Sequence, residues 1–428
     1  MSPAIRRVSR ATFAALSVPN YRLYLTGQSL SLVGTWMQMA AQSWLVWTLT
    51  RSATALGVIV ALQTLPVLIL GPYGGVIADR VDKRRAIVAL QAMMGIQALA
   101  LGLLTVTHAV RFWEIGVLAF VLGLNNTFEN PARQSFMLEL VGPEHLRNAV
   151  SLNSTMVNVA RVIGPAVGGL LIAAVGSGWC FLINSVSFVA VISSLTRIDR
   201  SALRPVPPTP RARGQLREGL RYVRHEPRLA LPLAMAAVVG CLAYEFQVSL
   251  PYMAAHGLRV GSAGYGFMTA AMGVGAVVGG LAVAARGRVG SLPLILAALG
   301  YGVAMTLSAL APNLALELLA LALVGAGGVA FMSQSNSTLQ LRAAPEMRGR
   351  VMALWFVSFQ GSTPIGGPIV GAVMAGYGAR AGLGLGAVAC FAVAIAGALT
   401  LRNLRARAAD AAAAPAEIAP PPADVIAA

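Results

Sequence analysis

Long uninterrupted apolar stretches constrain this chain more than any other feature of its sequence. Each of them matches the roughly 20 helical residues that are needed to cross a bilayer core. Twelve such stretches are found, at residues 22–48, 56–78, 86–107, 113–133, 148–175, 179–197, 229–253, 263–285, 291–311, 314–335, 350–376 and 380–401. Continuous apolar runs predict helices, since membrane-spanning β-strands alternate apolar and polar side chains. The sequence therefore predicts an all-α membrane protein with twelve transmembrane helices, and only 11% of its residues are charged.

The distribution of basic residues predicts how these helices are oriented. Alternate loops, beginning with the N-terminal segment, carry nearly all of the arginines, whereas the opposite loops hold only Arg51, Arg111, Arg259 and Arg380. Positively charged loops stay in the cytoplasm, so both termini are predicted to be cytoplasmic. The opposite interface is predicted to carry an aromatic belt of Trp44, Trp47, Trp113 and Trp179. The net charge of +17 does not indicate nucleic-acid binding, because the arginines are spread over short loops instead of one soluble face.

The two halves of the chain resemble each other. Pro143-Glu144 precedes the fifth stretch and Pro345-Glu346 precedes the eleventh. In a parallel repeat of this kind the substrate site lies between the halves near the bilayer midplane. The predicted organisation is an N-terminal segment (1–21), a six-helix bundle (22–197), a linker (198–228), a second six-helix bundle (229–402) and a disordered tail (403–428). The linker is predicted to hold a basic amphipathic helix that lies on the anionic membrane surface, with Leu216, Leu220 and Val223 on one face.

Glycines spaced four residues apart recur in equivalent spans of the two halves. The pairs are Gly71 and Gly75, Gly164 and Gly168, Gly275 and Gly279, and Gly367 and Gly371. Such spacing lets helix backbones approach closely. It predicts that spans two, five, eight and eleven form the interface between the halves, although generic helix packing would use the same residues.

The loop between spans two and three is a candidate gate. Its key residues are Gly75, Asp79, Arg80, Lys83 and Arg84. When the cytoplasmic side closes, Asp79 can face the positive N-terminal end of span eleven near Arg350. The basic residues can then pair with acids or with lipid phosphates. The alternative is that the basic cluster serves only as a topological anchor, and the two roles are compatible.

Two ionisable residues deep within the spans are candidates for the transport chemistry. Arg161 lies in span five, where an arginine is costly to insert and faces a partner or a cavity. It could bind a substrate anion or tune a neighbouring acid. Equally, it could pair with Glu129 or bond carbonyl groups freed by Pro165. Glu245 lies in span seven, which has no basic residue, and it could carry a proton.

Further polar residues within the spans have competing interpretations. Glu129 could act in the site, but a local ion pair with Arg133 is slightly favoured. Gln38 and Gln42 could line the cavity or satisfy each other. The remaining candidates are Asn125, which lies near Glu129, and Asn158, which shares a helix face with Arg161. Glu114 and Glu317 are expected to be solvated near the outer interface.

Three groups of residues resemble a known family. The loop residues Gly75, Asp79, Arg80, Lys83 and Arg84 match the cytoplasmic signature of the major facilitator superfamily. The motif Gly164-Pro165-x-x-Gly168 is similar to the superfamily's antiporter motif. Segments such as 20–24, 34–38, 130–134 and 216–223 resemble the transmembrane secretion effector branch, which contains enterobactin exporters and macrolide-efflux-like proteins. This resemblance implies the major facilitator fold, a multi-pass location in the bacterial cytoplasmic membrane, a monomer and proton antiport.

The predicted function is secondary active export of small amphiphilic molecules, drug-like or siderophore-like, by alternating access. Protons and the lipid bilayer are the other expected partners, with no cofactor, metal or nucleic acid. The alternatives are an importer or uniporter of a small metabolite on the same fold, or a membrane scaffold without transport. An enzyme is not expected, because no nucleophile–base or metal constellation is present and the histidines are scattered. The single lysine, Lys83, is followed by Arg84, which excludes a Walker A site.

Overall fold

The computed structural model describes residues 14–78, 81–204 and 215–413, which form helices and contain no strand. The helices of the first half are α1 (Pro19–Thr50), α2 (Ala53–Ala78), α3 (Lys83–Val106), α4 (Phe112–Val175) and α5 (Ser177–Thr196), and the short helix α6 (Gln215–His225) follows them. The second half contains α7 (Pro227–Leu242), α8 (Phe246–Tyr252), α9 (Gly261–Arg286), α10 (Ser291–Leu310), α11 (Leu314–Arg342), α12 (Arg348–Gln360), α13 (Thr363–Tyr377) and α14 (Ala379–Ala413). A 3₁₀ turn (Ala14–Ser17) precedes α1, and a π-helical turn (Met253–Gly257) follows α8.

Helices form all twelve predicted apolar stretches, two of them with an interruption described below, which confirms the all-α membrane fold. Two of them lie in the 64-residue helix α4, on either side of Gly142. Among the described residues, nine helical segments are long and apolar enough to cross a membrane. This number is consistent with twelve spans, because α4 contains two of them but is counted once, and neither α1 nor the interrupted pair α12–α13 is counted.

The long helix α4 reverses direction at Gly142. The backbone there has φ of 69°, a left-handed conformation that glycine adopts at little cost. Pro143 follows and helps to stop the first arm of the helix. Arg204, from the segment after α5, bonds both sides of this turn. Its backbone N–H donates to the Glu139 carbonyl, and its guanidinium pairs with Glu144 at 2.7 Å. The turn thereby joins spans four and five without a separate loop.

Two spans of the second half are interrupted at the same level, a feature that the sequence analysis missed. The stretch 229–253 breaks between α7 and α8, and the stretch 350–376 breaks between α12 and α13. The breaks are neighbours, since Gly240 lies against Phe359 and Gly366 lies against Cys241. Pro364 occupies the first turn of α13, where its missing N–H costs nothing. The Tyr301 hydroxyl donates to the Ala243 carbonyl at 2.7 Å and satisfies a backbone group freed by the first break.

The linker helix α6 is docked on the second half, which corrects the predicted membrane-facing arrangement. Val223 is only 3% exposed and packs in a cluster with Leu354 of α12, whereas Leu220 is 55% exposed. The two side chains therefore do not share a buried face. Glu218 pairs with Arg350 at 2.6 Å, so the start of α12 is held by the linker. The Leu216 side chain lies outside the described residues.

The basic cluster after α2 is partly structural. Lys83 forms an ion pair with Glu139 of α4, and both side chains are nearly buried. The Arg84 guanidinium donates to the Leu195 and Thr196 carbonyl oxygens at 2.6 and 2.7 Å, which caps the C-terminal end of α5. Asp79 and Arg80 lie outside the described residues. Their gating role remains a prediction.

Replacing Arg84 with Ala should lower the free energy of unfolding by about 1.5–3 kcal/mol, the usual value of hydrogen bonds from charged groups. Arg85→Ala is the matched control, because the Arg85 side chain is 72% exposed and lies 3.6 Å from Asp82. That control should stay within about 0.5 kcal/mol of the wild type. Thermal unfolding of the purified protein in detergent makes the comparison, and equal Tm values for both variants would contradict the capping role.

Candidate substrate cavity

A cavity of about 290 Å³ lies between the two halves of the chain. The first half contributes side chains from α1, α2 and the second arm of α4, and the second half contributes the interrupted helices and α9 to α11. Its walls are mostly apolar and aromatic, with a few polar groups, as in small-molecule sites generally. The principal lining residues used below are Trp36, Arg161, Pro165, Tyr244, Glu245, Tyr301, Phe359 and Thr363.

Arg161 lies on the first-half wall of this cavity. Its guanidinium carbon is 4.9 Å from the centre of the Trp36 ring, a cation–π arrangement. Its Nε atom is buried and finds no hydrogen-bond partner among the described residues. The alternative of an ion pair with Glu129 is wrong, because Glu129 lies 3.2 Å from Arg133. Arg161 therefore brings a positive charge to the cavity that no acid neutralises within the part of the chain that the structure describes.

Glu245 lies on the opposite wall, in the break between α7 and α8. Glu245 is only 3% exposed, and its Oε1 atom has no hydrogen-bond partner among the described residues. The Thr363 side chain, in the first turn of α13, lies near this carboxyl group. Glu245 is the one acid among the described lining residues, and a carboxyl group on a cavity wall is chemically able to bind and release a proton.

Aromatic side chains surround the position next to Glu245. The Tyr244 ring is the centre of this group, with ring centroids 4.7 Å from Phe359, 5.7 Å from Phe246 and 6.2 Å from Tyr301. Neither Trp36 nor these residues are among the predicted site residues. Aromatic residues are common in apolar spans, and only the breaks bring these four together. The Ser-Thr-Pro sequence at 362–364 was the available signal for the break in span eleven.

Four of the other candidates are buried within the first half, away from the lining residues. The Gln38 amide donates to Gln97 and accepts from Asn184, at 3.0 and 2.7 Å. Gln42 donates to Gln63 at 2.9 Å. Both earlier interpretations are therefore corrected, because the two glutamines neither line the cavity nor bond to each other. Buried Glu129 pairs with Arg133, and 1% exposed Asn125 has no partner for its amide atoms among the described residues.

Two more predicted positions differ from expectation. Asn158 donates to the Ser154 carbonyl of its own helix at 2.9 Å and is not among the lining residues. Glu317 is completely buried and accepts a hydrogen bond from Ser308 at 2.8 Å, so the prediction that it is solvated is wrong. Glu114 accepts a hydrogen bond from the Arg111 backbone N–H at 2.9 Å and thereby caps the start of α4. No group of residues suited to holding a metal ion is found in the described ranges.

The antiporter-like motif positions α4 between two other helices. Gly164 lies against the Trp36 side chain, and Gly168 lies against Met37 of α1. The adjoining Gly169 lies against Ser262 and Gly266 of α9, and Pro165 lines the cavity. A side chain at Gly164 or Gly169 would push these helices apart, because it would meet backbone atoms of α1 or α9 at less than 3.0 Å. The motif thus sets the distance from α4, which carries Arg161, to α1 of its own half and to α9 of the other half.

Contacts between the halves close the cavity at its outer end, defined here as the end that carries the loops 107–111 and 258–260. Of the predicted glycines, Gly367 and Gly371 make these contacts. Gly57 of α2 lies against Gly367 of α13, and Gly371 lies against Ala53 and Thr54. The predicted Gly275 and Gly279 instead lie against Ala322 and Ala326 of α11, within the second half, and Gly71 has open space around it. Spans two and five therefore do pack against spans eleven and eight, and among the described residues only span eleven uses its predicted glycines for this contact.

Aromatic contacts seal the same end. Trp44 stacks on Tyr265 with centroids 5.9 Å apart, and Trp47 contacts both Tyr252 and His256, at 5.2 and 4.8 Å. All three contacts join α1 to the second half. Trp47 is only 2% exposed, so the prediction that it belongs to a lipid-facing aromatic belt is wrong. The structure therefore shows a cavity that is shut on its outer side.

Comparison with known proteins is consistent with this architecture. A family model described as transmembrane secretion effector matches residues 10–426. An enterobactin exporter of Shigella boydii is 27% identical over 82% of this chain and 85% of its own, and the multidrug efflux pump Tap of Mycolicibacterium fortuitum is 27% identical over 78% and 84%. Two further relatives align over about half of their own length. A bacterial homologue of the lysosomal transporter Spinster, solved in an inward-facing unoccupied conformation, has a TM-score of 0.67 at 15% identity, over 89% of this chain and 95% of its own.

Proposed function

Because this chain belongs to the transmembrane secretion effector family of the major facilitator superfamily, we propose that it exports small amphiphilic molecules in exchange for protons. It is a multi-pass membrane transporter and not an enzyme. Within this proposal it works by alternating access in the cytoplasmic membrane of a bacterium. The observation that carries the proposal is the cavity between the halves, which holds Glu245 on one wall and Arg161 on the other.

Alternating access requires contacts that form in one state and break in the other. The glycine contacts Gly57–Gly367 and Gly169–Gly266 and the stacked pair Trp44–Tyr265 have this character, since each joins one half to the other. Breaking them opens the cavity to the outer side. The contacts within each half, such as Gln38–Gln97, remain while the halves rock.

Glu245 is the proposed proton carrier. It lies on the cavity wall, has an unpartnered carboxyl oxygen among the described residues, and sits at a break where backbone and side chain can rearrange. Discontinuous helices at the midplane are where transporters bind their coupling ions and substrates. Arg161 supports this role, because its positive charge in the same cavity stabilises the carboxylate once the proton has left.

Proton movement in inside-out vesicles tests the function. Adding a transported amphiphile to energised vesicles should release protons from the lumen and dissipate an imposed pH difference, and vesicles without the protein should not respond. Counterflow of a labelled amphiphile in the same vesicles then separates exchange from channel-like leakage. Rapid counterflow without any change in lumenal pH would contradict antiport and favour a uniporter.

A further inference from the structure

The ionisable groups that line the cavity restrict the charge of the cargo. Apart from tyrosines, the described lining residues contain one acid, Glu245, and one base, Arg161. No ion pair joins them in the described structure, because Arg161 lies over the Trp36 ring. The carboxyl group is therefore available to a ligand as well as to a proton.

From this arrangement we propose that the preferred cargo is a lipophilic organic cation with a single positive charge, which takes the place of the Glu245 proton. The inference rests on the proposed exchange function and names its substrate class. The charge of a bound cargo changes the proton affinity of Glu245 and therefore favours or opposes exchange. Coupling between two ligands is reciprocal, so whatever lowers the proton affinity of Glu245 must itself be displaced by the proton.

A cation meets this requirement and an anion does not. A cation beside Glu245 favours the carboxylate and expels the proton, so that cargo and proton bind one at a time. An anion would hold the proton on the acid, and both would then cross together. Exchange in opposite directions through this cavity thus selects a positively charged cargo.

The walls next to Glu245 fit such a cargo. The faces of Tyr244, Phe246, Tyr301 and Phe359 offer cation–π contacts within one group of touching rings. The flexible thioethers of Met39, Met272 and Met332 line the remainder and can adapt to different shapes. Hydrophobic cations with delocalised or shielded charge lose little hydration on entering, so they suit this environment best.

Arg161 limits the number of charges. Its guanidinium is held against Trp36 on the opposite wall, where it repels any second positive charge that extends from Glu245 across the cavity. Dications should therefore bind much more weakly than monocations of the same size. The two walls together specify one charge and its position.

Tetraphenylphosphonium and tetraphenylborate test the proposal directly, because they share four phenyl rings and differ in the sign of their charge. The full-length protein in weakly buffered detergent solution receives each ion while a pH dye records protons. Tetraphenylphosphonium should release protons. Its Kd should rise about tenfold for each unit by which the pH is lowered through the range where Glu245 takes up its proton. Tetraphenylborate should release none.

Two variants assign the effect to its residue. Glu245→Gln should abolish both proton release and the pH dependence of tetraphenylphosphonium binding. Glu317→Gln is the matched control, since Glu317 is a buried acid of the same half that does not line the cavity, and it should behave as the wild type. The two-ion comparison on the wild-type protein stands even if a variant fails to fold.

The contrary outcomes are distinct. Tighter binding of tetraphenylborate, with proton uptake, would overturn the cation proposal and place an anion at Arg161. Proton release by neutral triphenylphosphine oxide but not by tetraphenylphosphonium would retain exchange and overturn the charge class. Absence of proton release with every probe would overturn both the cation proposal and the proposed exchange function.

Discussion

Replacing Glu245 with Gln should convert the protein from a concentrating exporter into a passive facilitator. The amide keeps the size and polarity of the side chain but cannot carry a proton. One proton moving down a difference of one pH unit supplies about 1.4 kcal/mol, which sustains a tenfold concentration ratio of cargo. The variant should therefore lose that tenfold ratio for each pH unit imposed, while exchange of labelled for unlabelled cargo continues.

The measurement is cargo accumulation in inside-out vesicles at several imposed pH differences. The wild type and the Glu317→Gln control should follow the pH difference, and Glu245→Gln should equilibrate at a ratio of one. Glu317 accepts its hydrogen bond from Ser308 through one oxygen, which an amide can replace. Accumulation by Glu245→Gln equal to that of the wild type would show that another group carries the proton.

Replacing Gly169 with Ala should shift the protein toward an outer-open state. An added methyl group would lie 2.6 Å from the Ser262 carbonyl oxygen and 2.8 Å from the Gly266 Cα atom, both on the other half. Overpacking of this kind costs about 1–3 kcal/mol. Since the contact exists only while the outer end is closed, the cost falls on that state alone and changes the ratio of states roughly five- to 150-fold.

Gly275→Ala is the matched control for this experiment. Its methyl group would collide with the Ala322 carbonyl, but α9 and α11 belong to the same half and stay together in both states. It should lower thermal stability without changing the ratio of states. Spin labels on the exposed residues Arg111 and Pro312, in a cysteine-free background, report the separation of the outer ends. An unchanged distance distribution in Gly169→Ala would contradict the assignment of this contact to the gate.

The sequence was sufficient to predict an all-α membrane protein and to select Arg161 and Glu245, which the structure brings to one cavity. These predictions do not depend on which face of a helix meets which neighbouring helix. A charged residue deep in a span faces a cavity or a partner whatever its neighbours are, because lipid cannot solvate it. The prediction that spans two, five, eight and eleven meet between the halves followed from the repeat, and the structure adds which of them pair.

The partners of individual side chains could not be predicted in the same way. Helices in a membrane have apolar residues on all faces, so periodicity does not show which face meets which neighbour. Gln38 and Gln42 were for this reason predicted either to line the cavity or to satisfy each other, whereas they bond to Gln97 and Gln63. The break beside Glu245 was missed because its segment, residues 229–253, reads as one continuous apolar run with no proline at the break itself.

The two halves are built with unequal stiffness. In the first half, hydrogen bonds from Gln38 and Gln42 tie α1 to α2, α3 and α5 through buried amides. In the second half, α7–α8 and α12–α13 each have a joint at the level of Glu245. The outer segments of these two spans can tilt over a bound molecule while their inner segments stay in place. Cargo can thus be enclosed by bending of one half before the rigid half swings, which divides each turnover into an occlusion step and a reorientation step.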